Sequence, residues 1–195
     1  MAGDKRIAVL PGTYDPITLG HMDIIERGAS LYDELVVAVS DNPQKRALIP
    51  LEERLELIRG LAKDHPHIHA EAFTGMTVDF VKKIGAGVIL RGIRTFADFE
   101  YEFQLALANK RLGGVETVFI MSSAERSFIR STLIKEAVAL GGDVSPFVPP
   151  PVARALEKHM RRQGRISVRS SVGLSGDETP AMSRDGSGLR GEGIE

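Results

Sequence analysis

The chain contains no cysteine. Disulfide staples, thiolate catalysis and cysteine-ligated zinc are therefore excluded. Excess charge is also missing: 25 Lys and Arg stand against 26 Asp and Glu, a net charge of −1, whereas a general nucleic-acid coat needs a clearly basic balance. No stretch approaches the ~20 apolar residues that span a bilayer. The opening residues Met1-Ala2-Gly3-Asp4-Lys5-Arg6 lack the apolar region of a signal peptide. These absences leave a cytoplasmic protein with neither nucleic acid nor membrane as partner as the expectation. What is present is an ordinary globular composition, 43% hydrophobic and 26% charged over 195 residues. That is room for one α/β domain with a proper core, and little more.

Short β-branched runs alternate with segments of helical period. Ile7–Leu10, Leu35–Val39, Val88–Leu90 and Val118–Ile120 are apolar throughout, the pattern of strands buried on both faces of a parallel sheet. Ile68–Phe73 is a weaker strand. Helical periodicity falls at about 19–31, 51–63, 76–85, 98–112 and 131–140; within 51–63, Leu51, Leu55, Ile58 and Leu61 share one face. Gly141-Gly142 closes one helix, and the prolines at 149, 150 and 151 open a last one that runs to about 162. The alternation predicts a doubly wound, Rossmann-like sheet of five parallel strands with helices on both faces. It fills residues 1–162. Beyond Gln163 the sequence is rich in Gly, Ser, Arg and Asp, with no periodic apolar face. Such a segment cannot bury enough surface to offset its ordering entropy, so 163–195 is expected to be a disordered tail.

Chemistry-bearing residues gather at the carboxyl ends of the predicted strands, where ligands of open α/β sheets bind. The first strand runs into Pro11-Gly12-Thr13-Tyr14-Asp15-Pro16, and Thr18-Leu19-Gly20-His21 opens a helix. Gly12 permits close approach of a ligand to the backbone. The helix start offers free N–H groups and a positive dipole end, which suit phosphate. Thr18 and His21, three apart, share one face there. Thr18 as a plain helix cap with a surface histidine is the competing reading; position directly after a strand and a Gly-Thr loop favours the phosphate site. The second strand leads to Lys45 and Arg46, on a loop at the same edge that could equally be a solvated turn. The fourth strand ends in Arg91-Gly92-Ile93-Arg94. These arginines are placed to fork onto phosphate, or to pair with Asp98, Glu100 or Glu102, and both can hold. After the fifth strand come Ser122-Ser123 and Ser127-Phe128-Ile129-Arg130-Ser131-Thr132. Their hydroxyls make either a helix cap or a second phosphate cradle. His65, His67 and His69 suggest metal only superficially, since no carboxylate is interleaved and they lie at a strand entrance.

Leu10 to His21 as a block resembles the N-terminal signature of the bacterial phosphopantetheine adenylyltransferase family, in the nucleotidyltransferase superfamily. Leu51-Glu52-Glu53-Arg54, Leu90 to Arg94, Asp98-Phe99-Glu100-Tyr101-Glu102 and Gly141-Gly142-Asp143-Val144 are similar to that family's further signatures, in the same order. The resemblance covers roughly residues 5 to 160. It implies transfer of AMP from ATP to 4'-phosphopantetheine, with Mg²⁺ entering mainly on the ATP phosphates rather than on protein ligands. It implies that Thr13 and His21 contact the reacting phosphates, that Lys45 and Arg91 bind the acceptor phosphate, and that Thr77 and Asn109 line the pantetheine side. ATP would be held by Tyr14, Gly92, Ile93, Arg94, Glu102 and the segment Arg126, Ser127, Phe128, Ile129, Arg130, Ser131 and Thr132. A homohexamer and inhibition by coenzyme A are further implications. Tyr14 stands where Phe is commoner, Arg130 where a small or hydroxyl residue is usual, and the tail has no counterpart.

On this reading the nucleophile is the acceptor phosphate itself. With a second pKa near 6 it is mostly dianionic at neutral pH, so no general base is required. The protein's task is to bring two anions together, position them for in-line attack and neutralise the charge of the transition state, with His21, Lys45 and Arg91 as the catalytic set. Two rivals remain: a nucleotidyltransferase acting on another phosphate, such as nicotinamide mononucleotide or glycerol phosphate, and a non-catalytic nucleotide-binding protein, which would need none of those three residues.

Overall fold

The computed structural model describes residues 5–41 and 47–164. Five parallel strands, β1 (Ile7–Gly12), β2 (Glu34–Ser40), β3 (Ile68–Phe73), β4 (Val88–Ile93) and β5 (Glu116–Met121), form one sheet in the order β3-β2-β1-β4-β5. Consecutive apolar residues of β1 face opposite sides: Ala8 and Leu10 enter one core, Val9 the other. The weakness of Ile68–Phe73 in the sequence has a physical cause. β3 is an edge strand that buries Ile68, Ala70 and Phe73 and leaves His69, Glu71 and Ala72 exposed.

The helices divide between the faces. α1 (Leu19–Ala29), α2 (Leu51–Leu61), α5 (Ser131–Ala139) and α6 (Pro150–Arg162) cover the larger core through Ile24, Ile25, Leu55, Ile58, Ile134, Val138 and Leu156. α3 (Thr77–Lys83) covers the smaller core with Val78, Phe80 and Val81. α4 (Phe96–Gly113) lies beside α3, β4 and β5. It starts two residues earlier than its periodicity predicts, because the Thr95 hydroxyl accepts the Asp98 N–H and caps it at that point. Gly114 ends it in the left-handed region, φ 70°. α4 is unlike the others: Glu102 is its sole buried residue, and Phe96, Tyr101, Phe103, Leu107 and Leu112 are exposed. α6 is tied to α2 by Glu53, which receives Lys158 Nζ at 3.1 Å and lies 2.6 Å from His159 Nε2. Strand order reverses between β1 and β4, and that reversal opens a crevice at the carboxyl ends of the strands. No described helix is long and apolar enough to cross a membrane. The predicted tail falls almost wholly at 165–195, outside the described residues, as does Lys45.

Candidate active site

A cleft of about 890 Å³ occupies that crevice. The β1–α1 loop forms its floor. Tyr14 sits in the left-handed region (φ 51°), and its ring folds back over Gly12, where an added Cβ would lie 2.9 Å from the ring carbons. Gly12 thus makes room for the Tyr14 ring. The Tyr14 hydroxyl donates to Leu10 O at 2.8 Å; burial raises its pKa, against a smaller opposing influence of Arg91. Gly20 lines the cleft, and a Cβ there would meet Arg126 O at 3.3 Å.

Thr18 and His21 cap α1 reciprocally. The His21 N–H donates to Thr18 Oγ1 at 3.3 Å, and the Thr18 N–H donates to His21 Nδ1 at 3.0 Å. A nitrogen that accepts a backbone N–H carries no proton itself, so the neutral ring holds its proton on Nε2. Nε2 has no hydrogen-bond partner among the described residues, and His21 lines the cleft. Burial, then Arg94 and Arg91, push the His21 pKa down to about 4. At neutral pH the group facing the cleft is an uncharged N–H donor, oriented before any substrate arrives. The cap and the cleft histidine, competing readings of the sequence, are one device.

Arg91 and Arg94 extend from the end of β4. Arg91 Nε and Nη2 donate to both oxygens of Glu102 at 2.7 and 2.5 Å, and Nη1 donates to Pro11 O at 2.6 Å. Burial works against the Arg91 charge, but the Glu102 carboxylate outweighs it and the pKa is raised. The guanidinium carries further N–H groups beyond these three bonds, so the ion pair fixes its plane without exhausting it. Arg94 pairs with Asp98 at 3.0 Å, one turn along. Both arginines therefore make the ion pairs allowed by the sequence and still line the cleft.

Of the residues expected to meet substrates, Thr13, Tyr14, His21, Arg91, Gly92, Arg94, Glu102, Ile129, Arg130, Ser131 and Thr132 share this cleft. Thr77 and Asn109 line an adjoining cavity of about 290 Å³ that has Thr13, Arg91 and Glu102 in common with it. Four expected side chains lie elsewhere. Arg126 Nη1 donates to Leu19 O at 3.2 Å, the Ser127 hydroxyl donates to Ala124 O at 3.0 Å, and Phe128 packs edge-on against Phe147. Ile93 is buried in the fold. Ser131 donates to Pro16 O at 2.8 Å, which draws the start of α5 toward the β1 loop.

Three residues that sequence reasoning passed over shape the site. Asp15 is buried and accepts the N–H groups of Leu48 and Ile49, each at 2.9 Å, together with Lys135 Nζ at 2.9 Å. Lys135, on α5, also lines the cleft. Arg54, in the Leu51–Arg54 motif, is buried behind the loop. Helix period alone assigns Lys135 to a polar face; no local signal points to a carboxylate 120 positions away. The cleft holds the cations Arg91, Arg94, Arg130 and Lys135 against the carboxylates Asp15, Asp98 and Glu102. Each of these carboxylates is paired with one of the cations. Among the described residues no group of three or more His, Asp or Glu side chains is arranged to hold a metal.

The cytidylyltransferase-like family matches residues 9–137. The chain is 46% identical over 158 residues to phosphopantetheine adenylyltransferase of Caldanaerobacter subterraneus subsp. tengcongensis, covering 80% of this chain and 99% of that one. It is 48% identical over 160 residues to phosphopantetheine adenylyltransferase of Thermotoga neapolitana, covering 82% and 99%. A solved structure from Vibrio parahaemolyticus, assigned by name as a nicotinate-nucleotide adenylyltransferase, superposes with a TM-score of 0.58 at 18% identity, over 83% of this chain and 94% of that one; at that identity it shares the fold. With near-half identity across almost the whole length of such relatives, the chain belongs to the phosphopantetheine adenylyltransferase family of nucleotidyltransferases.

Proposed function

We propose that the chain transfers AMP from ATP to 4'-phosphopantetheine, giving dephospho-coenzyme A and pyrophosphate in coenzyme A synthesis. The observation that carries this reading is the meeting, in one cleft, of a neutral His21 donor, the Arg91 fork and the N-terminus of α5. The acceptor phosphate attacks the ATP α-phosphorus in line, the bond to pyrophosphate breaks, and no covalent enzyme intermediate forms. His21 Nε2–H donates to a phosphoryl oxygen as charge develops on it. Arg91, held by Glu102 and Pro11 O, fixes the acceptor phosphate. The N–H groups at the start of α5, with Ser131 and Thr132, take the triphosphate.

Among the described residues that line the cleft, the cations exceed the carboxylates by one, Arg130, which is exposed. Bringing two anions together is eased by a cation on the nucleotide itself, which fits MgATP as the nucleotide substrate, with Mg²⁺ on the phosphates. The adjoining cavity with Thr77 and Asn109 is assigned to the pantetheine arm. Coenzyme A carries the same arm and an adenylate, so it would compete for both cavities. The exposed aromatic face of α4 supports a subunit interface, which the homohexamer implied by the resemblance would bury, and a biosynthetic role fits the cytoplasm. Mixing the protein with MgATP and 4'-phosphopantetheine should release pyrophosphate, and nicotinamide mononucleotide should not substitute. Arg91→Ala should raise the acceptor KM at least tenfold. Release with nicotinamide mononucleotide alone would reassign the substrate.

A further inference from the structure

The Leu51–Arg54 motif contributes a buried cation that the proposed mechanism does not use. Arg54 is 3% exposed and forms no salt bridge among the described residues. Its donors go to backbone carbonyls: Nη1 to Thr13 O at 2.5 Å and to Ser40 O at 3.4 Å, and Nε to Ile49 O at 3.0 Å. These oxygens belong to the loop after β1, the end of β2 and the entry to α2. Asp15, in the β1 loop, grips the same entry in the opposite sense, accepting the Leu48 and Ile49 N–H groups. The β1 loop and the start of α2 thus hold each other, one by a carboxylate and one by a guanidinium.

Such a device is costly if packing were its only task. Buried charge is desolvated, and well-packed apolar residues often stabilise as much or more. What a rigid planar fork supplies is geometry: it fixes several acceptors at once in a defined plane, which neither an apolar side chain nor a lysine can do. The carbonyl it holds most closely belongs to Thr13, whose residue lines both the main cleft and the adjoining cavity. Arg54 itself makes no bond to the ATP-side features, the N-terminus of α5 and Arg94; the device reaches α5 only through Asp15 and Lys135.

We propose that Arg54 is a positioning residue for the acceptor substrate: it sets Thr13 and the end of β2 at the distance the acceptor phosphate requires, with Asp15 closing the tie from the other side. This rests on the acceptor and ATP sides being assigned as above, with Thr13 taken toward the acceptor because it lines the cavity of Thr77 and Asn109. Steady-state kinetics on full-length wild type, Arg54→Lys and Arg54→Met test it. Lysine keeps the charge and loses the fork; methionine keeps the packing of the stem and should fold even if the lysine variant does not. The expected result is a rise of tenfold or more in the KM for 4'-phosphopantetheine, with the KM for ATP within threefold of wild type. A lowered thermal midpoint with both KM values unchanged would make Arg54 merely structural and overturn the proposal, as would equal rises in both. A wild-type enzyme inert toward 4'-phosphopantetheine but active on another phosphate would instead overturn the functional reading, and the same split measured with that phosphate would then decide the role of Arg54.

Discussion

The mouth of β1 and the segment after β5 both face the cleft, and they are built differently. Around β1 the polar side chains are committed: Thr18 and His21 to each other, Tyr14 to Leu10, Asp15 to two amides and Lys135, Arg54 to three carbonyls. After β5 the fit is looser. α5 begins without a side-chain cap, Arg130 stands exposed at its cap position, and Thr132 is exposed. The contrast matches the tasks assigned to the two regions. A donor that stabilises charge in the transition state is effective only if it needs no reorganisation at the moment of reaction. A triphosphate can be held through backbone N–H groups, which α5 presents whatever its side chains are.

The contrast breaks most visibly at His21. His21→Ala should lower kcat by about 10²–10³-fold, the range for loss of one preorganised donor, with little change in the KM for ATP. Activity within a few-fold of wild type would move the chemistry away from the β1 mouth. A smaller effect is expected on stability. The His21 pKa is depressed to about 4 from its ordinary 6.5. As pH falls below 6.5, the unfolded chain takes up a proton there that the folded chain refuses until about pH 4. The contribution is fully present above 6.5 and is lost as the pH falls to about 4. Urea midpoints measured across that range should fall less steeply for His21→Asn than for wild type; parallel curves would mean His21 is not held neutral. The smallest effect is expected on the β5 side. Arg130→Ser should leave the KM for ATP within about threefold, under ~0.7 kcal/mol. A tenfold rise would show that the segment grips ATP by side chain as firmly as the β1 mouth holds His21.

The same division governs what could be read from the sequence. Strands apolar on both faces, the Thr18 cap and the arginines leaving β4 are local patterns, and they predicted the sheet and most of the cleft. Ties across long separations were not legible. Asp15 meets Lys135 and Arg54 meets Thr13 because parallel strands bring their carboxyl ends together, and no window of sequence contains both partners. The reach of single side chains was equally hidden. Ser127 and Phe128 sit in the expected segment, yet a tight turn at Ala124–Arg126 directs them to Ala124 and Phe147. Glu102, which the resemblance gives to ATP, lines the cleft with its carboxylate engaged by Arg91, a tie eleven residues long that the sequence offered only as one of three possible pairings.

The fold of Tyr14 over Gly12 makes the site optically addressable. The chain has no tryptophan and three tyrosines. Tyr14 is 4% exposed and lies 5.2 Å, centroid to centroid, from the His21 ring, whereas Tyr101 is 63% exposed. Tyr32 is half-buried against the larger core; with no indole to mask it, near-ultraviolet dichroism of the native chain is weighted toward its most deeply buried phenol. The signal that reports folding in most proteins here reports the ring packed edge-on against the proposed catalytic imidazole.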